Sequence, residues 1–512
     1  MFLPGVVCIL LVSLWMADQA AGPPTEWNGI AYLTQTVRWI TRYPAVLGLG
    51  NLYDCLAYNA SSLLYAAMLE SGPWAGRATH ISNGLLVLMV LFWVLLSGGR
   101  AIRSGSGAKA PYIFDMVLLT PIIAIAVSVA VSSFTTDIPG ALVTFIAASL
   151  LYRFLTNDGA ERPSSYDAGV IIGLSSLAIC LKASMIAIGP TFILVVFVFL
   201  FRVGVPKLAI ARLAKWSLAA SALLIVPWML HGILLSGYPL FPSTFLGLNR
   251  DWKVPADYAV AVHWWIITAA RHNSGGWLSW TWIPHWFKIE TRWLYTYRAN
   301  QWGWGKLGVL APSALTMAAI LVGMIPPIRG ARPRVEGWFL FVACAVAAMI
   351  WFGTAPASRF GFSFLWSLAA AAVAQAISPY GRQARWIVPP IAAMAIAPIL
   401  FPFPSSNVVK SLAERVFVPP GPDHGLYPFP EVELKRFVTE SGLVLFVPAN
   451  DERCYDAPQP CTPDPTPNLI LRMQPGGRPK FVTQGSWQPP IDWPNIPFHA
   501  EYVKFGPQRA QP

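Results

Sequence analysis

A succession of long apolar segments separated by short polar connectors constrains this chain more than any other feature of its sequence. Ten such segments follow residue 80, and they occupy residues 81–97, 112–133, 138–155, 168–182, 184–201, 216–235, 307–328, 337–353, 361–378 and 387–401. A soluble core cannot cover so many helices that are apolar on every face, whereas lipid can. The sequence therefore predicts an all-α protein that crosses a lipid bilayer many times.

The charge composition supports a membrane location and excludes a nucleic-acid partner. Hydrophobic residues make up 55% of the chain and charged residues only 12%, far from the balance of soluble domains. The net charge of +12 forms no stripe on a polar domain, because the lysines and arginines lie mainly in the connectors between apolar segments. That distribution is typical of loops retained in the cytoplasm.

The basic residues also predict the orientation in the membrane. Residues 1–16 form a shorter apolar run, either a cleaved signal segment or a first membrane helix, and both place the following loop outside the cytoplasm. Counted as a helix, this run brings the total to eleven spans, with the two chain ends on opposite sides. The connectors then assigned to the cytoplasm contain Arg100, Arg103, Lys109, Arg162, Arg202, Lys207, Arg212, Arg329, Arg332, Arg334, Arg382 and Arg385. The outside connector at 133–137 contains no basic residue.

This orientation divides the chain into membrane and extracytoplasmic parts. They are 1–16 (signal-like segment or first helix), 17–80 (first outside loop), 81–235 (membrane helices), 236–306 (large outside loop), 307–403 (membrane helices) and 404–512 (outside tail). In the first loop, apolar residues at helical spacing predict two helices along the membrane surface, at 29–42 and 56–69. The tail is rich in proline, and its apolar run at 444–447 predicts a strand of a small appendage.

Two cysteines of the tail, Cys454 and Cys461, enclose a short loop. An oxidising compartment favours a disulfide between them over a metal site, because no nearby histidine or third cysteine completes a tetrahedral ligand set. The disulfide in turn is consistent with an extracytoplasmic tail.

The first outside loop holds the first dense set of groups that can handle protons or phosphate. These groups are Glu26, Asn28, Asp54, Arg77 and His80. No zinc-protease motif, nucleophile elbow or glycine-rich phosphate loop occurs in the sequence, so we assign no metal-binding residues and expect no cofactor.

Three further charged residues lie at the ends of apolar segments. Asp137 precedes a span that has Pro139 in its first turn, so it can cap the helix, act as a general base or orient a sugar hydroxyl. Lys182 follows a long apolar run, so it either extends to the membrane surface or faces an anion in a cavity. Arg359 lies at the start of a helix on the predicted outer side, where a cation opposes the helix dipole. Its planar guanidinium suits a phosphate instead.

The large outside loop is unusually rich in tryptophan, interleaved with histidine and arginine. Such residues commonly anchor a loop at the level of the lipid headgroups. Aromatic faces beside cations would also suit a sugar and a lipid phosphate.

The order of these parts resembles the GT-C superfamily of polyprenol-phosphate-sugar glycosyltransferases. The features that match are an acidic residue before a tyrosine in the first outside loop, an Asp-then-Pro turn, the stretch 173–182, and Pro227-Trp228 before 236–242. The chain also resembles a functionally uncharacterised family of bacterial multi-pass membrane proteins within or beside that superfamily. The residues that carry this second resemblance are Tyr32, Gln35, Trp39, Gly48, Leu49, Gly50, Asn51, Leu52, Asn59, Ser61, Ala355, Pro356, Arg359, Phe360, Cys454, Pro460, Cys461, Thr462 and Pro463.

The resemblance implies an inverting sugar transfer at the outer face of the bacterial inner membrane. A polyprenyl-phosphate sugar would be the donor, and an envelope glycan, lipid or protein would be the acceptor. A carboxylate would accept the acceptor's proton, and cations such as Lys182 and Arg359 would stabilise the leaving phosphate, with Asn28, Tyr32, Arg77 and His80 in the same substrate site.

One departure from the family pattern concerns the residue four positions before Tyr32. The family pattern has an acid there, whereas this chain has Asn28, whose amide cannot accept a proton. Glu26 or Asp54 would then be the base, or the protein would be catalytically silent.

Two alternative functions follow from the same organisation. A lipid-linked glycan flippase or other transporter would be expected to show symmetric repeats and interrupted half-helices, and no convincing repeat occurs in the sequence. A non-catalytic component of envelope assembly is the other alternative. The enzyme hypothesis makes the sharper prediction, that Glu26, Asp54 or Asp137 lies in an outward cavity near Lys182 or Arg359.

Overall fold

A computed structural model describes residues 2–103, 110–128, 130–156, 164–272, 280–291, 306–324, 335–379 and 429–485. Within these ranges the chain is mostly helical. The helices are α1 (Phe2–Ala20), α2 (Thr34–Arg42), α3 (Ser61–Leu69), α4 (Ala78–Arg103), α5 (Ala110–Ala126), α6 (Asp137–Thr156), α7 (Ser165–Leu181), α8 (Gly189–Arg202), α9 (Lys207–Ser236), α10 (Ala256–Ala270), α11 (Ile283–Thr291), α12 (Ala311–Gly323), α13 (Gly337–Thr354) and α14 (Ser358–Ile377). The strands are β1 (Leu434–Val438), β2 (Val444–Pro448), β3 (Leu469–Gln474) and β4 (Arg478–Thr483).

Six helical segments in the described part of the chain are long and apolar enough to cross a bilayer. They are Ala78–Ser97, Asp137–Thr156, Ala183–Arg202, Lys207–Ser236, Gly337–Thr354 and Ser358–Ile377. Four shorter apolar helices accompany them, at Ile9–Ala20, Ala110–Ala126, Ser165–Leu181 and Gly308–Gly323. These helices are compatible with a membrane protein, but they do not confirm a count of eleven spans. The predicted span at 387–401 lies outside the described residues, as do 404–428 and 486–512 of the tail.

Two predicted spans have different ends in the structure. The span predicted at 112–133 ends at Ala126, and the turn that follows is held beneath the first loop, where the Ser132 hydroxyl donates to the Pro23 carbonyl at 2.9 Å. The span predicted at 216–235 begins at Lys207 instead. Its first turns contain basic residues, which hydropathy excludes from a span although their long side chains are readily accommodated at a helix end.

The centre of the bundle is α14, which packs against α5, α6, α12 and α13. Nearly all of α14 is buried, including the run of small residues at 369–372. Small side chains let neighbouring backbones approach closely, which is how membrane helices gain packing energy without a hydrophobic driving force.

A buried ion pair that the sequence analysis did not anticipate joins three helices of this bundle. Asp115 on α5 is fully buried and pairs with Arg153 on α6. The carboxylate also accepts hydrogen bonds from Ser97 on α4 and from Ser149 on α6, the latter at 2.6 Å. Several donors thus surround the buried charge, as a low-dielectric environment requires.

The described part of the tail forms two antiparallel hairpins, β1–β2 and β3–β4, on the first loop. The strand predicted at 444–447 is confirmed as β2. The predicted disulfide is also confirmed, with the Cys454 and Cys461 sulfurs 2.09 Å apart. Its loop is tied to α2, because the Gln35 amide donates to the carbonyls of Tyr455 at 3.1 Å and Ala457 at 2.8 Å.

The glycine at position 48 lies where the first loop, the large outside loop and the tail meet. Its φ of +65° belongs to the left-handed region, and a Cβ added there would lie 2.3 Å from the Phe481 carbonyl oxygen. Beside it, the Asn51 amide donates to the Trp252 carbonyl at 2.8 Å and accepts from the Thr483 hydroxyl at 2.8 Å. The Gly-Leu-Gly-Asn stretch therefore serves as a structural junction.

Candidate functional site

One large cavity lies between the first loop, the ends of several apolar helices and the tail. Its volume is about 1530 Å³, above the range usual for small-molecule sites. Among the side chains that line it are Asn28, Tyr32, Asp137, Lys182, Arg359 and Glu452. The rest of the wall is largely aromatic and aliphatic, so the few polar groups are concentrated in an apolar surface.

A buried ion pair between Asp137 and Lys182 forms one corner of the cavity. Lys182 follows the last residue of α7 in an extended conformation, and its ammonium group pairs with the carboxylate at the start of α6. The two side chains are only 11% and 4% exposed, so the lysine does not extend to the surface. Gly140 leaves room for this contact, because a Cβ there would lie 3.2 Å from the Lys182 Cβ.

This pairing also replaces the capping role that the sequence allowed for Asp137. One carboxylate oxygen faces Lys182, and the other accepts from the Thr135 hydroxyl at 3.4 Å. Among the described residues, no backbone N–H donates to this carboxylate. Asp137 is the first residue of α6, yet its side chain serves the ion pair rather than the helix.

A second cation lies on the same side of the cavity. The Arg359 guanidinium carbon is 5.2 Å from the centre of the Phe360 ring, and the Lys182 ammonium nitrogen is 4.7 Å from it. Both positive charges therefore lie beside one aromatic ring. Arg359 forms no ion pair and no hydrogen bond with the rest of the described chain, so its charge is available to a ligand.

The carboxylate of Glu26 lies behind the cavity wall rather than in it. One oxygen accepts from the Gly29 backbone N–H at 2.7 Å, and the other from the Asn28 amide at 3.0 Å. Burial raises the pKa of Glu26, although these hydrogen bonds and the Arg359 charge oppose the rise. Asn28 stands where the family pattern has an acid. It lines the cavity, and its amide donates a hydrogen bond to Glu26.

Asp54 lies in a different environment, on the tail side of the cavity. The Tyr58 hydroxyl donates to it at 3.3 Å, and Tyr58 itself lines the cavity. Burial raises the pKa of Asp54 to about 6. Burial, together with the nearby Asp54 charge, also raises the pKa of Asp464 in the tail, to about 7. These two acids adjoin each other rather than Lys182 or Arg359.

These raised values predict how the stability of the protein depends on pH. A carboxyl with a folded-state pKa above its unfolded value stabilises the fold at low pH, and the contribution is lost as pH rises through the folded pKa. We therefore expect Asp54→Asn to gain stability relative to the wild type between about pH 4 and pH 6, by at most about 1.4 kcal/mol per pH unit. Unfolding followed at several pH values measures the difference.

Thr41→Ala provides the control, because it changes an exposed side chain without removing a titratable group and should leave the stability difference constant with pH. A relative stability of Asp54→Asn that falls as pH rises would contradict the assignment.

The other residues singled out from the sequence are divided between the cavity and the exterior. Tyr32 lines the cavity and makes edge-to-face contacts with Tyr53 and Tyr58, at ring distances of 6.4 and 6.0 Å. Arg77 is exposed just before α4. His80 is buried, with its ring Nδ1 2.9 Å from the Ala20 carbonyl, so it joins α4 to α1. The structure brings neither Arg77 nor His80 into the cavity wall.

A histidine–carboxylate pair in the cavity wall was missed by the sequence analysis. His272 follows α10, Glu290 lies on α11, and the His272 Nε2 is 3.0 Å from the Glu290 carboxylate. Because 18 positions separate them, no local spacing indicated the contact. Across the part of the chain that the structure describes, no three or more His, Cys, Asp or Glu residues form a group that could hold a metal ion.

Comparison with known proteins identifies one family. The model of the family described as "Domain of unknown function (DUF8201)" matches residues 3–366, which include Asp137, Lys182 and Arg359. No curated protein and no solved structure matches the chain. Because the family model covers well over half of its 512 residues, this chain belongs to the DUF8201 family.

Proposed function

We propose that this protein is a membrane glycosyltransferase that transfers a sugar from a polyprenyl-phosphate donor to an envelope acceptor. It would act at the outer face of the bacterial inner membrane, with eleven spans and an extracytoplasmic tail. The observation that carries the proposal is the pair of cations, Lys182 and Arg359, beside one aromatic ring in a large apolar cavity.

The charges of this corner suit a phosphodiester. Among the side chains of the cavity wall at this corner, Lys182, Arg359 and Asp137 together carry one net positive charge. The Glu26 carboxylate behind the wall is held by Asn28 and the Gly29 N–H. A donor phosphodiester carries one negative charge and would neutralise the net charge of the wall. When the sugar–phosphate bond breaks, the leaving polyprenyl phosphate gains a second negative charge, which the two cations stabilise in a site of low dielectric.

The apolar part of the wall suits the lipid portion of such a donor. Ile186, Trp265 and Ile350 line the cavity and are 53%, 42% and 46% exposed. A polyprenyl chain that lies along these side chains would keep its hydrocarbon out of water while its phosphate reaches Arg359.

In the proposed reaction, an acceptor oxygen forms a bond to the anomeric carbon of the sugar as the bond from that carbon to the phosphate oxygen breaks. The transition state carries positive charge on the sugar ring. Asp137 lies in the cavity wall, where its carboxylate holds Lys182 in place and can orient a sugar hydroxyl. Among Glu26, Asp54 and Asp137, only the last is part of the described wall.

Binding of undecaprenyl phosphate to the protein in lipid nanodiscs tests the proposal. We expect Arg359→Gln and Lys182→Met each to weaken binding by about 10-fold to 100-fold, since charge-assisted hydrogen bonds to an anion contribute about 1.5–3 kcal/mol. Arg202→Gln serves as the control, because its side chain is 52% exposed and remote from the cavity wall.

Two results would contradict the proposal. One is equal binding by wild type and both cavity variants. The other is obtained with a strain lacking the protein: its membranes would accumulate no lipid-linked sugar that the purified protein can consume. Translocation of that lipid across the bilayer without consumption would indicate the flippase instead.

A further inference from the structure

His272 and Glu290 form a dyad in the cavity wall, with the carboxylate behind the imidazole. The Glu290 side chain is 7% exposed and that of His272 is 31% exposed. With Glu290 ionised, the hydrogen bond of 3.0 Å keeps a proton on Nε2, so Nδ1 retains its lone pair. Nδ1 has no hydrogen-bond partner among the described residues. A buried carboxylate that orients a partly exposed imidazole is the arrangement by which histidine acts as a general base.

The backbone at His272 is unusual as well. Its φ of +54° lies in the left-handed region, which few residues other than glycine adopt. This conformation ends α10 after Arg271 and directs the chain so that the imidazole meets α11. Conformations of this kind cost free energy and concentrate where a side chain must be held in one place.

Hydrogen bonds from beside both members of the dyad reach one short segment, residues 353–357, which joins the end of α13 to α14 and so to Arg359. The Arg271 guanidinium donates to the Gly353 carbonyl at 3.1 Å. On α11, one turn before Glu290, the Trp286 indole N–H donates to the Pro356 carbonyl at 3.0 Å. Arg359 follows this segment at the start of α14. The position of the imidazole relative to the proposed phosphate site is therefore set by direct hydrogen bonds.

The three acidic residues that the sequence singled out near the cavity are poor competitors for the role of base. Asp137 is neutralised by Lys182, and Glu26 already accepts a hydrogen bond on each oxygen. Asp54 lies behind Tyr58 on the tail side. Glu290 is in contact with the imidazole, and the guanidinium of the neighbouring Arg271 donates to the Gly353 carbonyl.

We infer that His272 is the group that accepts the proton of the acceptor hydroxyl, and that Glu290 is the residue that positions it. This inference rests on the proposed glycosyl transfer. The acceptor oxygen bonds to the anomeric carbon, its proton moves to Nδ1 of His272, and the electrons of the broken carbon–oxygen bond leave with polyprenyl phosphate. The resulting imidazolium is stabilised by Glu290.

The variant that tests this role is His272→Asn. Asparagine tolerates the left-handed backbone and cannot accept a proton, and its amide lies near the position of Nδ1 rather than reaching Glu290 as Nε2 does. In nanodiscs we expect wild-type binding of undecaprenyl phosphate and transfer reduced by at least about 100-fold, the usual contribution of a general base. Transfer is measured with lipid-linked sugar extracted from membranes of a strain lacking the protein. Glu290→Gln should lower the rate less and shift its pH profile.

His285→Gln is the matched control, since this exposed histidine lies on the same helix as Glu290. Transfer by His272→Asn at the wild-type rate would overturn the inference and leave the proposed function intact. Loss of donor binding together with transfer would show a structural role for His272 and would also overturn the inference. Failure of the wild type both to bind undecaprenyl phosphate and to transfer would overturn the proposed function, and this inference with it.

Discussion

Asp115→Ala is expected to lower the free energy of unfolding by about 3–5 kcal/mol, one of the two largest effects we predict. The carboxylate is fully buried on α5 and is the only described partner of opposite charge for Arg153. Its removal leaves a cation and two serine hydroxyls without their shared acceptor inside the bundle. Unfolding in detergent micelles, followed by circular dichroism, measures the loss.

An exposed ion pair supplies the control for this experiment. Glu336 lies 3.9 Å from Arg202, and the two side chains are 32% and 52% exposed, so Glu336→Gln should cost no more than about 1 kcal/mol. Replacing both members of the buried pair, as Asp115→Leu with Arg153→Met, should recover much of the stability. A loss below about 1 kcal/mol in Asp115→Ala would show that the pair contributes little.

Gly48→Ala is expected to separate the tail from the first loop. The added Cβ would lie 2.3 Å from the Phe481 carbonyl oxygen and 2.8 Å from that of Trp252, and neither backbone atom can move without disrupting the junction. With the strained φ added, we expect a cost above about 3 kcal/mol. Hydrogen exchange should then accelerate at the Phe481 amide, which donates to the Leu47 carbonyl at 2.9 Å.

Gly72→Ala isolates the contribution of backbone conformation. Gly72 has a similar φ of +59°, but a Cβ there would meet no atom within 4 Å. We expect it to cost about 1–2 kcal/mol and to leave exchange in the tail unchanged. Equal effects of the two substitutions would mean that the close approach at Gly48 is unimportant.

The fold was predictable to the extent that it depends on local composition. Apolar runs identified most of the long helices, since lipid solvates a helix whatever its neighbours are. Their ends were less predictable. The chain is no longer in the α5 helix after Ala126, and Ser132 there donates a hydrogen bond to the first loop. Helix α9 begins earlier than hydropathy indicates because its first turns, which contain basic residues, lie at the end of the helix.

The candidate site was predictable only in part. Lys182 stood out because it lies between two long apolar runs, and Arg359 because a cation opposes the dipole at the start of a helix; both line the cavity. Asp137 was also singled out, and a carboxylate near Lys182 or Arg359 was expected, but the sequence did not indicate which of Glu26, Asp54 and Asp137 would pair with Lys182. His272 and Glu290 were not singled out, because the many aromatic and basic residues of their loop indicated interfacial anchoring.

From the order of residues alone it follows that this is a mostly helical chain with apolar helices compatible with a membrane, that its tail contains a strand at 444–447, and which cations lie at helix ends. These properties depend on the order of neighbouring residues and on their transfer free energies. Which carboxylate contacts which cation, how the tail packs at Gly48 and where the dyad lies depend on the packing of the folded chain. Ion pairs and hydrogen bonds act over a few ångströms, and those distances arise only when distant parts of the chain pack together.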